Sequence, residues 1–411
     1  MSSLPTRLTA LTSDQLQGMR RGIEKESLRV LPSGELVMTA HPHALGSALT
    51  HPHITTDFCE SQVEIVTAAH SGVDALMNEL ALVHRQVHDV LATHDEQMLW
   101  GASMPCRLPA EDEIPIACYG QSNVGLAKSV YRMGLSHRYG RRMQTISGIH
   151  YNWSLPQVSN EAYFGLIRNF RRHAPVLLYL FGASPALCAS FLGNRPHTLQ
   201  PLGEGSLHRP HATSLRMGRL GYQSDAQSSL MVSYNDLDGY GASLQDALTQ
   251  PYAAYEALGV RGTDGEYRQL STSLLQIENE FYGTIRPKRT VHAGERPLHA
   301  LRERGVQYVE VRCLDLDPFE PLGIHARTVR FLDVFLLYCL LNDSPLDSPK
   351  EIEELGHNQQ QAAERGREPG LSMQHLGARV SMAEWAGDLM QQCRLVAQRV
   401  DEVLGGEDYQ Q

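Results

Sequence analysis

Glu24 and Glu26 stand two residues apart in the segment 22–30, whose alternation reads as a strand closed by a turn at 32–34. The same spacing recurs at Glu278 and Glu280, at the end of the strand candidate 274–279, and at Glu310 and Arg312 in 307–314. His150 lies in a further strand candidate, 147–155, and Asp57, Glu60 and Glu64 crowd the extended segment 54–67. In a strand, residues i and i+2 lie on one face, so each pair projects together from a sheet surface. A single such pair is what a solvated sheet face shows. Repetition is different, because carboxylates facing one another across strands repel. A face that gathers many acids needs cations. Mg²⁺ or Mn²⁺, hard ions that take carboxylate oxygens and an occasional imidazole, would fill that need and leave room for a substrate phosphate. The strands must be neighbours for this to hold.

Between these segments the period changes. Leu76, Leu80, Val83, Val87 and Leu91 recur at helical steps within 73–94. Val329, Leu332, Phe335, Leu336 and Cys339 do so within 326–341, and Trp385, Leu389, Val396, Val400 and Val403 within 384–404, before Gly405 and Gly406. Ser13 is expected to cap a short first helix. Residues 343–350 read as a loop with a polar, Gln-rich stretch after it. Strands and helices alternate without a βαβ rhythm, which predicts α+β with a largely antiparallel sheet. The 411 residues are expected to form a single large catalytic domain, helical from about 325 to 411.

Net charge is −10, which disfavours broad binding to nucleic acid. No apolar run reaches the roughly 20 residues that span a bilayer. The N-terminus lacks the apolar block of a secretory signal, so a cytoplasmic monomer acting on small molecules is expected. Seven cysteines, none in C-x-x-C spacing, read as reduced thiols. Neither G-x-x-x-x-G-K-S/T nor a G-x-G-x-x-G opening a helix occurs, so a nucleotide would be held by metals and point charges. The run Arg286, Lys288, Arg289 is the candidate clamp, a solvated basic turn being the alternative. Lys128, Arg132, Arg138, Arg141 and Arg142 form a second basic stretch, some of it solvating a helix face. His41, His43, His51 and His53 read as turn residues beside prolines.

The segments RGIEKESLRV (21–30), ALGSALTHPHITTDFCESQVEIVT (44–67), YGQSNVGLAKSVYRMGLSHRYGRRMQTISGIHYNWSLP (119–156), ATSLRMGRLGYQ (212–223), LQIENEFYGTIRPKR (275–289) and VQYVEVRCLDLDPFEPLGI (306–324) resemble those of the proteobacterial glutamate–cysteine ligases. That resemblance implies a fold of glutamine synthetase type, a curved and mainly antiparallel sheet forming a funnel. It implies ATP-dependent joining of the L-glutamate γ-carboxylate to the L-cysteine amine through γ-glutamyl phosphate, the first step of glutathione synthesis. Matched by position, it implies metal ligands at Glu24, Glu26, Asp57, Glu64, His150 and Glu310. The cysteine pocket falls on Phe58, Tyr131, Leu135, Gln144, Arg216, Tyr222 and Tyr282. Arg312 faces glutamate or its phosphorylated carboxylate and, with Glu310, carries catalysis, while Arg286, Lys288 and Arg289 contact ATP. By that resemblance a C-terminal extension beyond GGEDYQQ is usual, and the chain is expected to lack it. Cys106 is expected to lack the partner cysteine of some relatives, so no redox control through that bridge is expected. A γ-glutamyl ligase with another amine acceptor, a metal-dependent hydrolase and a non-catalytic relative are the competing readings.

Overall fold

The computed structural model describes residues 4–221, 226–227, 230–292 and 294–411. Its strands in chain order are β1 (Arg20–Val30), β2 (Ile54–Thr56), β3 (Gln62–Val66), β4 (Met98–Leu99), β5 (Ile149–Ser154), β6 (Ala186–Cys188), β7 (Gln200–Gly203), β8 (Ser206–His208), β9 (Ile285–Lys288), β10 (Tyr308–Leu314), β11 (Ser372–His375) and β12 (Ala378–Ser381). The main sheet runs β2-β3-β1-β5-β10-β9, antiparallel throughout, with β4 on the far end of β1. β6, β8 and β7 make a small second sheet, and β11 and β12 a hairpin. The fold is α+β.

Alternation divides the main sheet into two faces. Along β5, Ile149, Tyr151 and Trp153 enter the principal core with Ile23, Val309 and Val311, leaving His150 and Asn152 to the other side. Helices cover the apolar face. Val73–Ala92 buries Leu76, Leu80, Val83, Val87 and Leu91, the stripe expected from spacing. Ala326–Leu341 and Met382–Leu404 join it, the latter opened by a capping box between Ser381 and Glu384 and followed by Gly405 at φ +82°.

The structure differs from the sequence expectations in four places. Thr12, not Ser13, caps the helix Ser13–Gln17, because Gln15 completes a capping box with it. Residues 54–67 are a hairpin and not one extended run, since Asp57 to Ser61 turn β2 back onto β3. The C-terminal part, expected to be helical, holds the helix Pro349–Arg365 over the Gln-rich stretch but also the β11–β12 hairpin. Residues 274–279 are not a strand, and Glu278–Glu280 form a short 3₁₀ turn. Glu280 is drawn inward by Arg138 Nη1 at 3.1 Å and the Tyr139 hydroxyl at 2.6 Å, while Glu278 turns outward to Arg296 at 3.1 Å. That pair therefore does not share a face.

Where the helix Asn160–Phe181 meets the C-terminal part, His173 packs among Tyr338, His375 and Trp385 and accepts a hydrogen bond from Trp385 Nε1 at 3.1 Å. Burial, reinforced by His375 and Arg172, pushes His173 down to about 3. A depressed folded value means stability is present above the unfolded value of about 6.5 and is lost as pH falls toward 3, on the order of 4–5 kcal/mol in all. His173→Phe is expected to flatten the acid limb of denaturant-measured stability below pH 6. An acid limb as steep as that of the unmodified chain would contradict this.

Candidate active site

Register brings the acids together. Glu24 lies opposite His150 across β1 and β5, and Glu26 opposite Glu64 across β1 and β3. Glu310 lies opposite Asn152 on one side and Arg286 on the other. His150 Nδ1 is 3.2 Å from Glu24 Oε2 and 3.9 Å from Glu310 Oε1, and its Nε2 is 3.7 Å from Glu26 Oε1. One donor atom each from Glu24, His150 and Glu310 lie within 4.8 Å of one another. Asn152 Nδ2 donates to Glu24 Oε1 at 2.9 Å and Gly148 N–H to Glu26 Oε2 at 2.8 Å, fixing both carboxylates.

These carboxylates do not share one charge state. Burial, then repulsion from Glu24, Asp57 and Glu26, holds Glu64 well above the carboxylate range. Burial and then Asp57 push Glu26 up to about 8. For Glu310, burial pushes upward, but Lys288, Arg312 and Arg286 together outweigh it and hold the group low. For Glu24, burial pushes upward, but its hydrogen bond to His150 and the Lys288 charge outweigh it and hold the group low. Burial and then Arg312 push His150 down, keeping its imidazole in the neutral form that ligates metals. His150 Nε2 and Glu310 Oε2 are buried with no hydrogen-bond partner among the described residues. Crowded carboxylates, a neutral imidazole and unspent lone pairs are the donor set of a hard divalent cation, and such an ion fits here.

Positive charge flanks the acids on one side. The β10–β5 register shifts between Val311 and Leu314, a bulge at which Arg312 N–H donates to Thr284 O at 2.8 Å. Arg312 Nη1 is thereby 3.1 Å from Glu310 Oε1 and 3.4 Å from His150 Nδ1. Lys288 Nζ and Arg286 Nη1 approach Glu310 at 3.6 and 3.8 Å. Arg289 spends its Nη1 on the Arg304 carbonyl at 2.6 Å. Beside β9 lies a cavity of about 290 Å³, lined by Tyr240, Leu244, Pro287, Lys288, Leu298 and Tyr308. A larger one, about 1050 Å³, opens next to Tyr282, Thr284 and Arg312.

Phe58 and Leu135 are buried in a second apolar cluster, against which Tyr131 and Tyr282 pack. Gln144 Nε2 donates to the Tyr282 hydroxyl at 3.0 Å. Arg216 differs from the expectation of a pocket-lining group. It is fully buried, its Nη2 donating to Arg312 O at 2.9 Å with Asp315 at 3.9 Å. It lies so close to Gly148 that a Cβ there would come within 2.1 Å of the guanidinium. Tyr222 lies outside the described residues. Asp57 contributes its carbonyl to the Tyr119 hydroxyl at 3.1 Å and to Arg132 Nε. Glu60 is not part of the acid face, because its carboxylate accepts the His41 and Cys118 amides at 2.6 Å each. His51 Nδ1 accepts two backbone amides in a turn. Sequence reasoning missed Asn152, although its place two residues after His150 puts it on the same face. Asp315, buried with Ser184 Oγ and Ser214 Oγ at 2.6 and 2.9 Å, carried no signal of its own.

The sequence profile of glutamate–cysteine ligase matches residues 7–362. A glutamate–cysteine ligase of Janthinobacterium is 50% identical, with 98% of this chain and 80% of that protein covered. One from Azotobacter vinelandii is 49% identical, with 100% and 82% covered. Among solved structures, glutamate–cysteine ligase of Francisella tularensis in complex with AMP superposes with a TM-score of 0.89 at 38% identity, covering 94% of this chain and 80% of that one. No helix among the described residues is long and apolar enough to cross a membrane. With its acid face, its flanking cations and these matches over nearly its whole length, the chain belongs to the glutamate–cysteine ligase family.

Proposed function

We propose that the chain joins the γ-carboxylate of L-glutamate to the amine of L-cysteine, converting ATP to ADP and phosphate, as the first step of glutathione biosynthesis in the cytoplasm. The observation that carries this reading is the convergence of Glu24, His150 and Glu310, with Glu26 beside them, under the cations of β9 and β10.

Glu24, Glu26, Asp57, Glu64, His150 and Glu310 would hold Mg²⁺ or Mn²⁺, which would screen the phosphates from the attacking carboxylate. Asn152 and the Gly148 amide orient the first two of these ligands. Lys288 and Arg286 carry positive charge to the phosphates, and Arg289 supplies charge from just beyond β9. The cavity beside β9, with Leu244, Leu298 and Leu301 in its lining and flanked by Tyr240 and Tyr308, suits the base of the nucleotide. The glutamate γ-carboxylate takes the terminal phosphoryl group, giving γ-glutamyl phosphate. The cysteine amine then attacks the acyl carbon and phosphate leaves. Arg312, at the β10–β5 bulge, would stabilise the negative charge that develops on the carbonyl oxygen.

Phe58 and Leu135 would surround the cysteine side chain, with Tyr131, Tyr222 and the Gln144–Tyr282 pair supplying polar contacts. Arg216 would act as a positive charge behind Gly148 on the acceptor carboxylate. An apolar pocket of this kind separates substrates by only about 1–3 kcal/mol per methylene. In a coupled assay of phosphate release, turnover is expected to require glutamate, to be fastest with cysteine and to continue more slowly with 2-aminobutyrate. Phosphate release independent of glutamate would identify a hydrolase and overturn the reading. No turnover of 2-aminobutyrate would overturn the pocket.

A further inference from the structure

Arg312 sits where β10 has an extra residue. Between the pairs Val311–Tyr151 and Leu314–Ile149, Arg312 and Cys313 stand against His150 alone. An extra residue bends a strand and re-aims its side chains, so the direction in which Arg312 leaves the bulge depends on what holds its backbone. Its N–H donates to Thr284 O at 2.8 Å, just before β9 begins at Ile285. Its carbonyl is met by a side chain, accepting Arg216 Nη2 at 2.9 Å across 96 residues of sequence. Arg216 is fully buried, and its guanidinium lies against Gly148, where a Cβ would come within 2.1 Å of Nη2 and 2.5 Å of Cζ. Gly148 is itself bonded to Glu26 twice, its N–H donating to Oε2 at 2.8 Å and its carbonyl accepting the Glu26 N–H at 3.1 Å. One buried cation thus bears on both the Arg312 backbone and the residue that orients Glu26.

Asp315, just past the end of β10, holds Arg216 in two ways. The first is charge. Asp315 Oδ1 faces Arg216 Nη1 at 3.9 Å, too long for a hydrogen bond, and Arg216 is the one cation within 4.0 Å of it among the described residues. Burial raises the Asp315 carboxyl, and the Arg216 charge is the largest influence drawing it back down. The second is the backbone. Arg216 lies in the 3₁₀ turn Leu215–Met217, capped by Ser214, whose Oγ accepts the Met217 N–H at 3.3 Å. Asp315 Oδ1 accepts that same hydroxyl at 2.9 Å, while its Oδ2 accepts the Ala183 N–H at 2.9 Å and Ser184 Oγ at 2.6 Å. The turn that carries Arg216 is thereby tied to the strand that carries Arg312.

We propose that Asp315 is a positioning residue of the ligation site, acting through Arg216 on Arg312. Asp315 sets the Arg216 guanidinium, and the guanidinium holds the Arg312 carbonyl. The bulge then directs the Arg312 side chain at Glu310 Oε1 and His150 Nδ1, 3.1 and 3.4 Å away. That role rests on Arg312 serving in ligation. It gives Arg216 a second task beside the acceptor carboxylate, and the two tasks differ kinetically. Loss of a charge that only binds the acceptor raises KM for cysteine and leaves kcat, whereas a displaced Arg312 lowers kcat at saturating cysteine.

A double-mutant cycle on the whole chain separates them. Asp315→Asn keeps the size of the side chain and removes its charge. It is expected to lower kcat roughly tenfold, with KM for cysteine within about twofold of the unmodified chain. Arg312→Lys is expected to lose more, and Asp315→Asn added to it to cost less than about twofold further, because the group it positions is already gone. Ser214→Ala, which leaves both charges in place, is expected to follow the same pattern more weakly, so the cycle stays measurable if Asp315→Asn does not fold. Losses that multiply, or a KM for cysteine that rises while kcat holds, would overturn the positioning role. Crystals of Asp315→Asn read position without turnover. The Arg312 guanidinium is expected away from Glu310 Oε1, and Arg312 left in place there would overturn the role whichever reaction the site performs. Arg312→Lys at near-normal kcat would instead overturn the part given to Arg312 itself.

Discussion

Glu310→Gln is expected to lower kcat for ligation roughly a thousandfold, on the order of 4 kcal/mol of transition-state stabilisation. The substitution keeps the side chain's shape and removes one negative charge. That charge sits at the meeting point of the site, with Arg312, Lys288 and Arg286 within 3.1, 3.6 and 3.8 Å and His150 Nδ1 at 3.9 Å. Without it the proposed cation site loses a ligand and three cations lose their counter-charge, so stability should fall as well. Glu24→Gln separates the two effects. Glu24 is partly exposed and has no Lys or Arg within ion-pair distance among the described residues. Its substitution is expected to lower kcat in the same direction while leaving the denaturation midpoint nearly unchanged. Near-normal kcat in both variants would show that these carboxylates do not serve the chemistry.

Asp333→Ala is expected to destabilise the fold by about 3–5 kcal/mol, the cost of leaving a buried charge without its partner. Asp333 and Arg21 are 0% and 1% exposed and joined at 2.6 Å. Asp333 also accepts the Tyr151 hydroxyl at 2.6 Å and the Tyr409 hydroxyl at 3.1 Å. One carboxylate thus ties the first strand, the centre of the sheet, the helix Ala326–Leu341 and the residues next to the C-terminus. Its removal strands the Arg21 guanidinium in the interior. Tyr409→Phe, which removes one hydrogen bond of the set, is expected to cost only about 1 kcal/mol. Urea unfolding measures both, and a loss below about 1 kcal/mol for Asp333→Ala would contradict this view of the network.

The acid face was legible because strand periodicity is short-ranged. Glu24, Glu26, His150 and Glu310 lie in strands, and register then set them side by side. Glu278 and Glu280 have the same spacing and mislead, because the buried Arg138 and Tyr139 that draw Glu280 inward are more than 100 residues away in sequence. The helix Asn160–Phe181 offers no clean stripe: Arg168, Asn169 and Arg172 are buried with its apolar residues, and Pro175 lies within it. Arg216 illustrates the limit of matching by position, which identifies a residue without saying whether its side chain is open or enclosed.

Anomalous diffraction from crystals grown with Mn²⁺ tests the central claim most directly. A peak among Glu24, His150 and Glu310 that disappears in Glu24→Gln is expected. A fully ordered site with no peak there, at Mn²⁺ concentrations that support ligation, would contradict it.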